Sequence, residues 1–354
     1  MDSFARKHWV KLPRLLLLVT ALACFAATPA RAKDRVTPLF ASDDVLIVDL
    51  TGPIRSIAKR ATKSTDPQDA VLQANGETHN IALSARGVSR RKRENCVFPP
   101  LRIRFAEKPP KSSLFHKQRS IKLVTHCKDK DRNEQVLLRE FATYRLYNLM
   151  TPESLKVRLA RLRYRDGEKV VAERYGFFIE DIDDAARRLG GKEIDIPRTS
   201  VSSLSVPAAA RYTLFQYMIG NTDWAMIAGP PGSDCCHNSK LVGQNKAARS
   251  ALIPVPYDFD NAGIVNAPYA VPADVLPIRS VRQRYYRGHC RMNDAVKQAV
   301  QGFLSRRAAV EGEIASIAVM SDDSRKQMRD YLNEFFEQLK SADTIDRKLF
   351  KTCR

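Results

Sequence analysis

Residues 157–180 read VRLARLRYRDGEKVVAERYGFFIE, and this stretch decides the fold of the first half of the chain. Two of its segments, 157–164 and 170–180, predict strands because they are rich in apolar and β-branched residues. Asp166-Gly167 between them is a strong signal for a hairpin turn. On either side of this hairpin we predict further strands at 45–50, 81–85, 101–105 and 120–126, and a helix at 134–150. The first half is therefore expected to be mostly antiparallel sheet with one helix.

The second half of the chain has a helical pattern instead. Helices are predicted at 208–219 and 322–339, and Asn293 fits the N-cap of a third helix that runs to about residue 305. The polar stretches 56–77 and 107–118 are predicted to be loops. A sheet-rich half followed by a helical half predicts an α+β protein with two lobes. We assign 33–182 to the sheet-rich N-lobe and 183–354 to the helical C-lobe, with a cleft between Glu180 and Pro207.

The N-terminus has the three parts of a secretory signal peptide. Four basic residues precede an apolar run at 15–27, and Ala30-Arg31-Ala32 follows as a small-residue cleavage site. The run is shorter than the roughly 20 residues of a membrane span. We therefore predict cleavage between Ala32 and Lys33 and a secreted or periplasmic protein. A retained anchor, or a lipid attached at Cys24, is the alternative.

The chain is strongly basic, with a net charge of +20. The first 32 residues carry five basic residues and one acid, a net of +4, so +16 remains after cleavage. Such a charge favours polyanionic partners, and an acidic polymer is one candidate. A basic exported protein whose charge is simply solvated would look the same.

Six cysteines follow the predicted cleavage site, which suggests disulfide bonds in an oxidising compartment. Cys96 and Cys127 flank two predicted strands and could pair across them. We expect Cys235 and Cys236 to reach different partners, because adjacent cysteines rarely satisfy the geometry of a disulfide. Neither a CxxC nor an HExxH motif is present, so a structural zinc site is not expected.

Residues 256–261 read PYDFDN and follow an apolar segment at 252–255. Two carboxylates beside an apolar strand are costly to bury unless a cation pairs with them, and a divalent metal is one such cation. Asp258 and Asp260 would share one face of an extended segment. A surface turn with two solvated acids is the simpler alternative.

The order of five short motifs resembles that of the spore-coat-protein-H-like family of secreted atypical protein kinases. That family is marked by an Arg-Gly-x-Ser-Arg turn, a lysine-bearing strand, a Gly-Phe/Tyr-x-x-Glu hairpin, an Asn-x-Asp loop with a later Asn, and an Asp-x-Asp metal motif. The matching residues here are Arg86-Gly87-Val88-Ser89-Arg90, Lys122, the hairpin at 175–180, Asn221-Thr222-Asp223 with Asn238, and Asp258-Phe259-Asp260. The match spans about residues 45–265.

The resemblance implies a protein-kinase-like fold that transfers a phosphoryl group from ATP, or another nucleotide, with Mg²⁺ or Mn²⁺. Phosphoryl transfer needs positioning and charge neutralisation more than covalent help from the protein. Asp223 is the expected base, and Asn238 and Asp258 the expected metal ligands with Asp260 in support. The expected nucleotide contacts are Lys122, Glu140 (through an ion pair that holds Lys122), Ser89, Arg90 and Glu180, the last of which could equally be a plain strand-end acid.

One departure from the family pattern concerns the catalytic loop. Fifteen positions separate Asp223 from Asn238, and two prolines with Cys235 and Cys236 fill part of the gap. This looks like an insertion, and one that blocked the cleft would leave a pseudokinase. We therefore expect an exported kinase-like phosphotransferase acting on a hydroxyl of a protein or surface polymer. The alternatives are a non-catalytic, disulfide-stapled envelope module that binds polyanions, and a metal-dependent hydrolase, which would lack its usual histidine ligands.

Overall fold

Seven strands of the first half hydrogen bond in a closed ring. The computed structural model describes Met1 and residues 36–354, so the predicted signal peptide and cleavage site lie outside the described residues. The strands are β1 (Leu46–Thr51), β2 (Gln68–Ala74), β3 (Glu77–Ala85), β4 (Leu101–Phe105), β5 (Ser120–Val124), β6 (Val157–Asp166) and β7 (Lys169–Ile179). They follow one another in the order β1-β2-β3-β4-β5-β7-β6. All neighbours are antiparallel except β1 and β6, which are parallel with Leu46 opposite Ala160.

The hairpin of β6 and β7 forms as its sequence predicts. Asp166 pairs with Lys169 across the turn, and Gly167 has φ +59°, a backbone conformation that suits a residue without a Cβ. Side chains alternate between the inside and the outside of the ring. Val48 and Leu50 of β1, with Leu162 of β6, are fully buried inside it. Apolar burial on this inner face holds the strands together.

Helix α2 (Asp131–Met150) links the sheet to the rest of the molecule. Aromatic rings lie along its length, and Tyr144 contacts both Phe177 of β7 and Phe259 of the helical half. Most of its residues are buried, which explains why its apolar positions do not form a single stripe. Asp131 and Glu134 lie in its first turn, where negative charge complements the helix dipole.

Apart from the short α1 (Ile54–Arg60), which lies between β1 and β2, the remaining helices follow β7 in the chain, so the fold is mixed α/β with a sheet-rich N-terminal part and a helical C-terminal part. They are α3 (Ile182–Arg188), α4 (Val206–Ile219), α5 (Asn293–Leu304), α6 (Arg307–Ser316), α7 (Asp322–Leu339) and α8 (Ala342–Lys348). A small antiparallel sheet lies among them, ordered β10 (Ile253–Pro256), β9 (Ser239–Gly243), β8 (Lys192–Ile194). Within the described residues, no helix is both long enough and apolar enough to cross a membrane.

Two local expectations are wrong. The stretch 56–77, predicted to be a loop, contains most of helix α1 (Ile54–Arg60) and all of β2. Buried Ile54 and Ile57 anchor α1, and burial alternates along β2, so tertiary packing orders a segment whose own pattern is weak. Asn293 is the first residue of α5 and not its N-cap, and its side-chain amide contacts Cys353 Sγ.

The two-lobe division at residue 182 stays a prediction. The described residues 36–354 belong to one compact unit. One core cluster takes buried residues from both sides of the boundary, among them Tyr147 of α2 and Phe215 of α4, whose ring centroids are 4.5 Å apart. A second cluster fills the closed sheet, and a third lies around Trp224.

The six cysteines of the described chain form three disulfide bonds. Cys96 pairs with Cys127, as expected, and Cys290 pairs with Cys353. The expectation that Cys235 and Cys236 have different partners is wrong, because they bond to each other. The other four cysteines are paired among themselves, and both neighbours face the same core around Trp224 and Met226. Disulfides persist in oxidising compartments, so these bonds fit an extracellular protein.

Candidate active site

A cavity of about 630 Å³ opens where the sheet-rich and helical parts of the chain meet. Its lining brings together Lys122 of β5, Asp223, Asn238 and Asp258. These residues span 136 positions of sequence and come from strand β5, the long connection between α4 and β9, and the segment after β10. Arg86, Ser89, Arg90, Arg102, His237, Tyr257, Asp260 and Tyr269 line the same cavity.

The loop that carries Asp223 begins where α4 ends. Gly220 caps this helix with φ +66°, and a Cβ at this position would collide with the hydroxyl of Tyr331. The amide of Asp223 donates to Asn221 Oδ1 (2.9 Å), and Trp224 Nε1 donates to the Asn221 carbonyl (3.0 Å). Arg287 donates to the carbonyls of Thr222 and Trp224 and lies over the indole ring. Hydrogen bonds to Asn221 within the loop and from Arg287 outside it therefore hold Asp223 in place.

The carboxylate of Asp223 has a polar partner on each oxygen. Oδ1 shares a hydrogen bond of 2.6 Å with His237 Nε2, and Oδ2 accepts from Asn238 Nδ2 at 3.1 Å. The hydrogen bond to Asp223 raises the pKa of His237, and partial burial of the imidazole opposes this effect. The Asp223 side chain is 38% exposed, so the carboxylate can still be reached from the cavity. A carboxylate that is positioned and accessible in this way can accept a proton.

Asn238 and Asp258 both have a left-handed backbone, with φ of +49° and +63°. Asn and Asp tolerate this conformation better than most residues, and residues held in it cluster at functional sites. The amide of Tyr257 donates to the Asn238 carbonyl (3.1 Å), and the amide of Asp258 donates to the Tyr144 hydroxyl (2.8 Å). These bonds fix the segment after β10 against the Asn238 loop and against α2.

Three carboxylates surround the guanidinium of Arg90. Glu140 lies 3.0 Å away, Asp260 3.1 Å and Asp258 3.2 Å. Arg90 is 7% exposed and Glu140 is 2% exposed, so their ion pair is buried. Tyr269 adds a hydrogen bond from its hydroxyl to Asp260 (3.1 Å). The Arg90 network ties the turn after β3, helix α2 and the segment after β10 into one unit.

One guanidinium cannot balance three carboxylates. Burial raises the pKa of Glu140 to about 7, and Arg90 offsets only part of this effect. Burial likewise raises the pKa of Asp260 to about 6, with repulsion from Asp258 adding to it. Glu140 and Asp260 therefore take up protons more readily than ordinary carboxyl groups, and Asp258, the most exposed of the three at 36%, is the carboxylate that the cluster presents to the cavity. This edge of the cavity attracts cations.

The expected ion pair between Lys122 and Glu140 is wrong. Glu140 pairs with Arg90 instead, because α2 presents its carboxylate to Arg90, the buried residue of the turn at 89–91. In residues 36–354 no carboxylate lies within ion-pair distance of Lys122, and its ammonium lies 5.5 Å from the ring centroid of Tyr257. Burial lowers the pKa of Lys122, and repulsion from Arg86 lowers it further. Lys122 therefore has no anionic partner in the described chain.

Ser89 and Glu180 have different surroundings. Ser89 lines the cavity two positions after Gly87, whose φ is +83°, and Asn95 Nδ2 donates to its hydroxyl. Glu180 is fully buried outside the cavity lining and accepts from the amide of Lys156 (2.8 Å) while pairing with Arg188 (2.9 Å). These contacts match the alternative that Glu180 is a strand-end acid, and they leave it no position from which to contact a nucleotide in this cavity.

The insertion between Asp223 and Asn238 does not block the cavity. None of residues 229–236 is part of its lining. The amide of Cys235 donates to the carbonyl of Ile196, and the amide of His237 donates to that of Ala228. The insertion therefore packs against the helical part. Only its last residue, His237, and Asn238 directly after it reach the cavity.

Asp258 and Asn238 carry oxygen atoms of the kind that hard cations such as Mg²⁺ prefer as ligands. Within residues 36–354, no cluster of three or more His, Cys, Asp or Glu side chains could hold a metal by itself. Mg²⁺ is usually bound by one or two protein carboxylates together with substrate phosphates and water. Asn238 donates through Nδ2 to Asp223, which leaves its Oδ1 for such an ion. Asp260 is buried and committed to Arg90 and Tyr269, so its role is to hold Arg90.

Sequence reasoning missed several residues that complete the cavity. Arg86 and Arg102 add positive charge beside Lys122. His237 and Arg287 hold the Asp223 loop, and Tyr144 holds the amide of Asp258. The sequence already marks two of these residues: Arg86 stands in the Arg-Gly-x-Ser-Arg motif, and His237, next to Asn238, is a candidate base with a purely structural role as the alternative. Arg102, Arg287 and Tyr144 carry no local signal, because only the tertiary fold brings them to the site.

The chain was also compared with known proteins. It matches no protein-family model, and no curated protein matches it. The short motifs and the geometry of this cavity are therefore the features that bear on function.

Proposed function

We propose that this chain is an exported phosphotransferase of the spore-coat-protein-H-like kinase family, with a two-lobed kinase-like frame. It would move a phosphoryl group from ATP, or a related nucleotide, to a hydroxyl of a protein or surface polymer. The main support for the proposal is that cations and carboxylates lie on opposite sides of the cavity. Lys122, Arg86 and Arg102 line its sheet-rich side, and Asp223 and Asp258 line its helical side.

This polarity suits a nucleotide with its metal ion. Phosphoryl transfer depends on positioning and on neutralising the charge of the phosphates. Lys122 and Arg86 would bind phosphate oxygens, since neither has an ion-pair partner among residues 36–354. Asp258 and Asn238 would hold Mg²⁺ or Mn²⁺, which would neutralise charge on the transferred group when bound. Arg90 would hold Glu140, Asp258 and Asp260 in place.

The proton and the phosphoryl group follow separate routes. Asp223 takes the proton of the acceptor hydroxyl, and the hydroxyl oxygen forms a bond to the terminal phosphorus. The bond from that phosphorus to its bridging oxygen breaks, and the nucleoside diphosphate leaves with the electron pair. His237 and Asn238 orient the carboxylate of Asp223 through its two oxygens. The cations of the sheet-rich side stabilise the charge on the phosphates throughout.

Asp223→Asn tests the proposal, because it keeps the shape of the side chain and removes the proton acceptor. We expect nucleotide affinity within about twofold of the unmodified chain and phosphate transfer reduced about 10²–10⁴-fold. The assay pairs calorimetric ATP binding in Mg²⁺ with transfer of labelled phosphate to the chain itself and to a generic protein acceptor.

Asp69→Asn is the matched control, since Asp69 is exposed on β2 and lies away from the cavity lining. It should leave binding and transfer unchanged. Transfer by the Asp223→Asn variant at the rate of the control would reject Asp223 as the base. A chain that binds ATP with Mg²⁺ but transfers nothing would be a pseudokinase.

A further inference from the structure

A second cavity, of about 360 Å³, lies beside the candidate active site on the outside of the closed sheet. Arg104 of β4, Arg119 and Lys108 line it, with Glu107 as the acidic residue of its lining. The proposed phosphotransfer gives these three cations no role.

Strand β4 connects the two cavities. Arg102 lines the candidate active site, and Arg104 lines the second cavity. Alternate residues of a strand point to the same face, so these two guanidinium groups leave β4 on one side, about 7 Å apart along the strand. Lys122 of β5 lies directly opposite Arg102 in the antiparallel register. The basic residues therefore form a continuous row across both cavities.

No carboxylate of residues 36–354 forms an ion pair with this row, and Asp258 and Asp181 act on Arg86 and Lys122 only from a greater distance. We name this row the basic strip, and its members are Arg86, Arg102, Arg104, Lys108, Arg119 and Lys122. Like charges placed directly opposite on neighbouring strands are destabilising, as with Arg102 and Lys122. Burial and repulsion from Arg86 and Arg102 also lower the pKa of Lys122. The fold keeps an unfavourable arrangement that an anion would relieve.

We propose that the basic strip binds a linear, phosphate-bearing polyanion that extends from the second cavity to the mouth of the candidate active site. Guanidinium groups suit phosphate because their donors form a planar fork. Phe105 is the aromatic residue in the lining of the second cavity, and its ring already packs against His79 and Phe115, so the cavity offers three cations but no row of rings for successive bases. A polymer recognised through its charges therefore fits better than single-stranded nucleic acid, which is bound on stacking platforms. This binding does not depend on the proposed phosphotransfer.

Linear inorganic polyphosphate is the probe for this proposal, and its binding to the full chain is measured at several salt concentrations. The Arg104→Gln and Arg119→Gln double variant should bind about tenfold more weakly. Its slope of log affinity against log salt should be shallower by about two, one for each cation removed. ATP binding in Mg²⁺ should be unchanged, because both residues lie outside the active-site lining.

The matched control is the Arg291→Gln and Arg329→Gln double variant. Both residues are exposed and outside the two cavities, and the net charge falls by the same two units. The control should bind polyphosphate as the unmodified chain does. Equal weakening in both double variants would overturn the proposal, because net charge alone would then explain binding. Monomeric phosphate that displaces the polymer at equal total phosphate would also overturn it, and so would single-stranded DNA that binds as tightly as polyphosphate.

Discussion

Replacing Arg90 by Met tests the buried charge network that joins the two parts of the chain. Methionine keeps much of the volume of the side chain and removes its charge. Arg90 contacts Glu140 at 3.0 Å and Asp260 at 3.1 Å, and all three side chains are largely buried. The change leaves two buried carboxylates without their cation, so each must be protonated or remain buried as an unpaired charge.

The expected loss follows from the cost of breaking a buried ion pair by removing one partner, about 3–5 kcal/mol. With a urea m-value of about 3 kcal/mol/M, the unfolding midpoint should fall by about 1–1.7 M. Arg329→Met is the control, since Arg329 is exposed on α7, and it should change stability by no more than about 0.5 kcal/mol. Unfolding is followed by circular dichroism with the disulfides kept intact.

Double-mutant cycles identify the partner of Glu140. Arg90→Met combined with Glu140→Gln should show a coupling energy of about 0.5–3 kcal/mol, because the two side chains are in contact. Lys122→Met combined with Glu140→Gln should show a coupling below about 0.5 kcal/mol. A loss under about 1 kcal/mol for Arg90→Met, or a larger coupling of Glu140 to Lys122 than to Arg90, would refute this description of the network.

Three further predictions follow from other parts of the fold. His126 is fully buried, neither ring nitrogen has a partner in the described chain, and burial lowers its pKa from 6.5 to about 4. Between pH 4 and pH 6.5 the unfolded chain then binds more protons than the folded chain. About 3 kcal/mol of stability that is present above pH 6.5 should therefore be lost as the pH falls to 4. In a pH series of urea midpoints, His126→Phe should flatten this decrease. Replacing Cys290 and Cys353 by Ser opens a loop with a sequence separation of 63 and should cost about 4 kcal/mol, measured by urea unfolding. Arg287→Lys removes the Nη1 donor that holds the carbonyls of Thr222 and Trp224 in the Asp223 loop, so transfer should fall about tenfold while nucleotide affinity stays the same.

The parts of the fold that depend on local patterns could be predicted from the sequence. The predicted bounds of β4 and α7 coincide with the observed ones, and the turn at Asp166-Gly167 joins β6 and β7 as expected. Helix α1 and strand β2 could not be predicted, because their apolar residues form no clear pattern in the sequence and become ordered only by packing against the closed sheet.

The candidate site could likewise be predicted only in part. Lys122, Asp223, Asn238 and Asp258 could be selected from motif order, and the fold brings them to one cavity. Which groups pair with one another could not be read from spacing, because Arg90 and Glu140 are 50 positions apart and meet only through the tertiary fold. The bond between Cys235 and Cys236 was likewise hidden, since it depends on how the other four cysteines pair.

Calorimetric titration of the purified chain with ATP tests the central claim most directly, in the presence of Mg²⁺ and again with the metal removed by a chelator. We predict saturable binding that requires Mg²⁺ and is lost in Asp258→Ala and in the isosteric Asp258→Asn, because the carboxylate that balances the metal is gone. Asp69→Asn, the exposed control on β2, should bind like the unmodified chain. Absence of nucleotide binding by the unmodified chain, or full Mg²⁺-dependent binding by both Asp258 variants, would contradict the account.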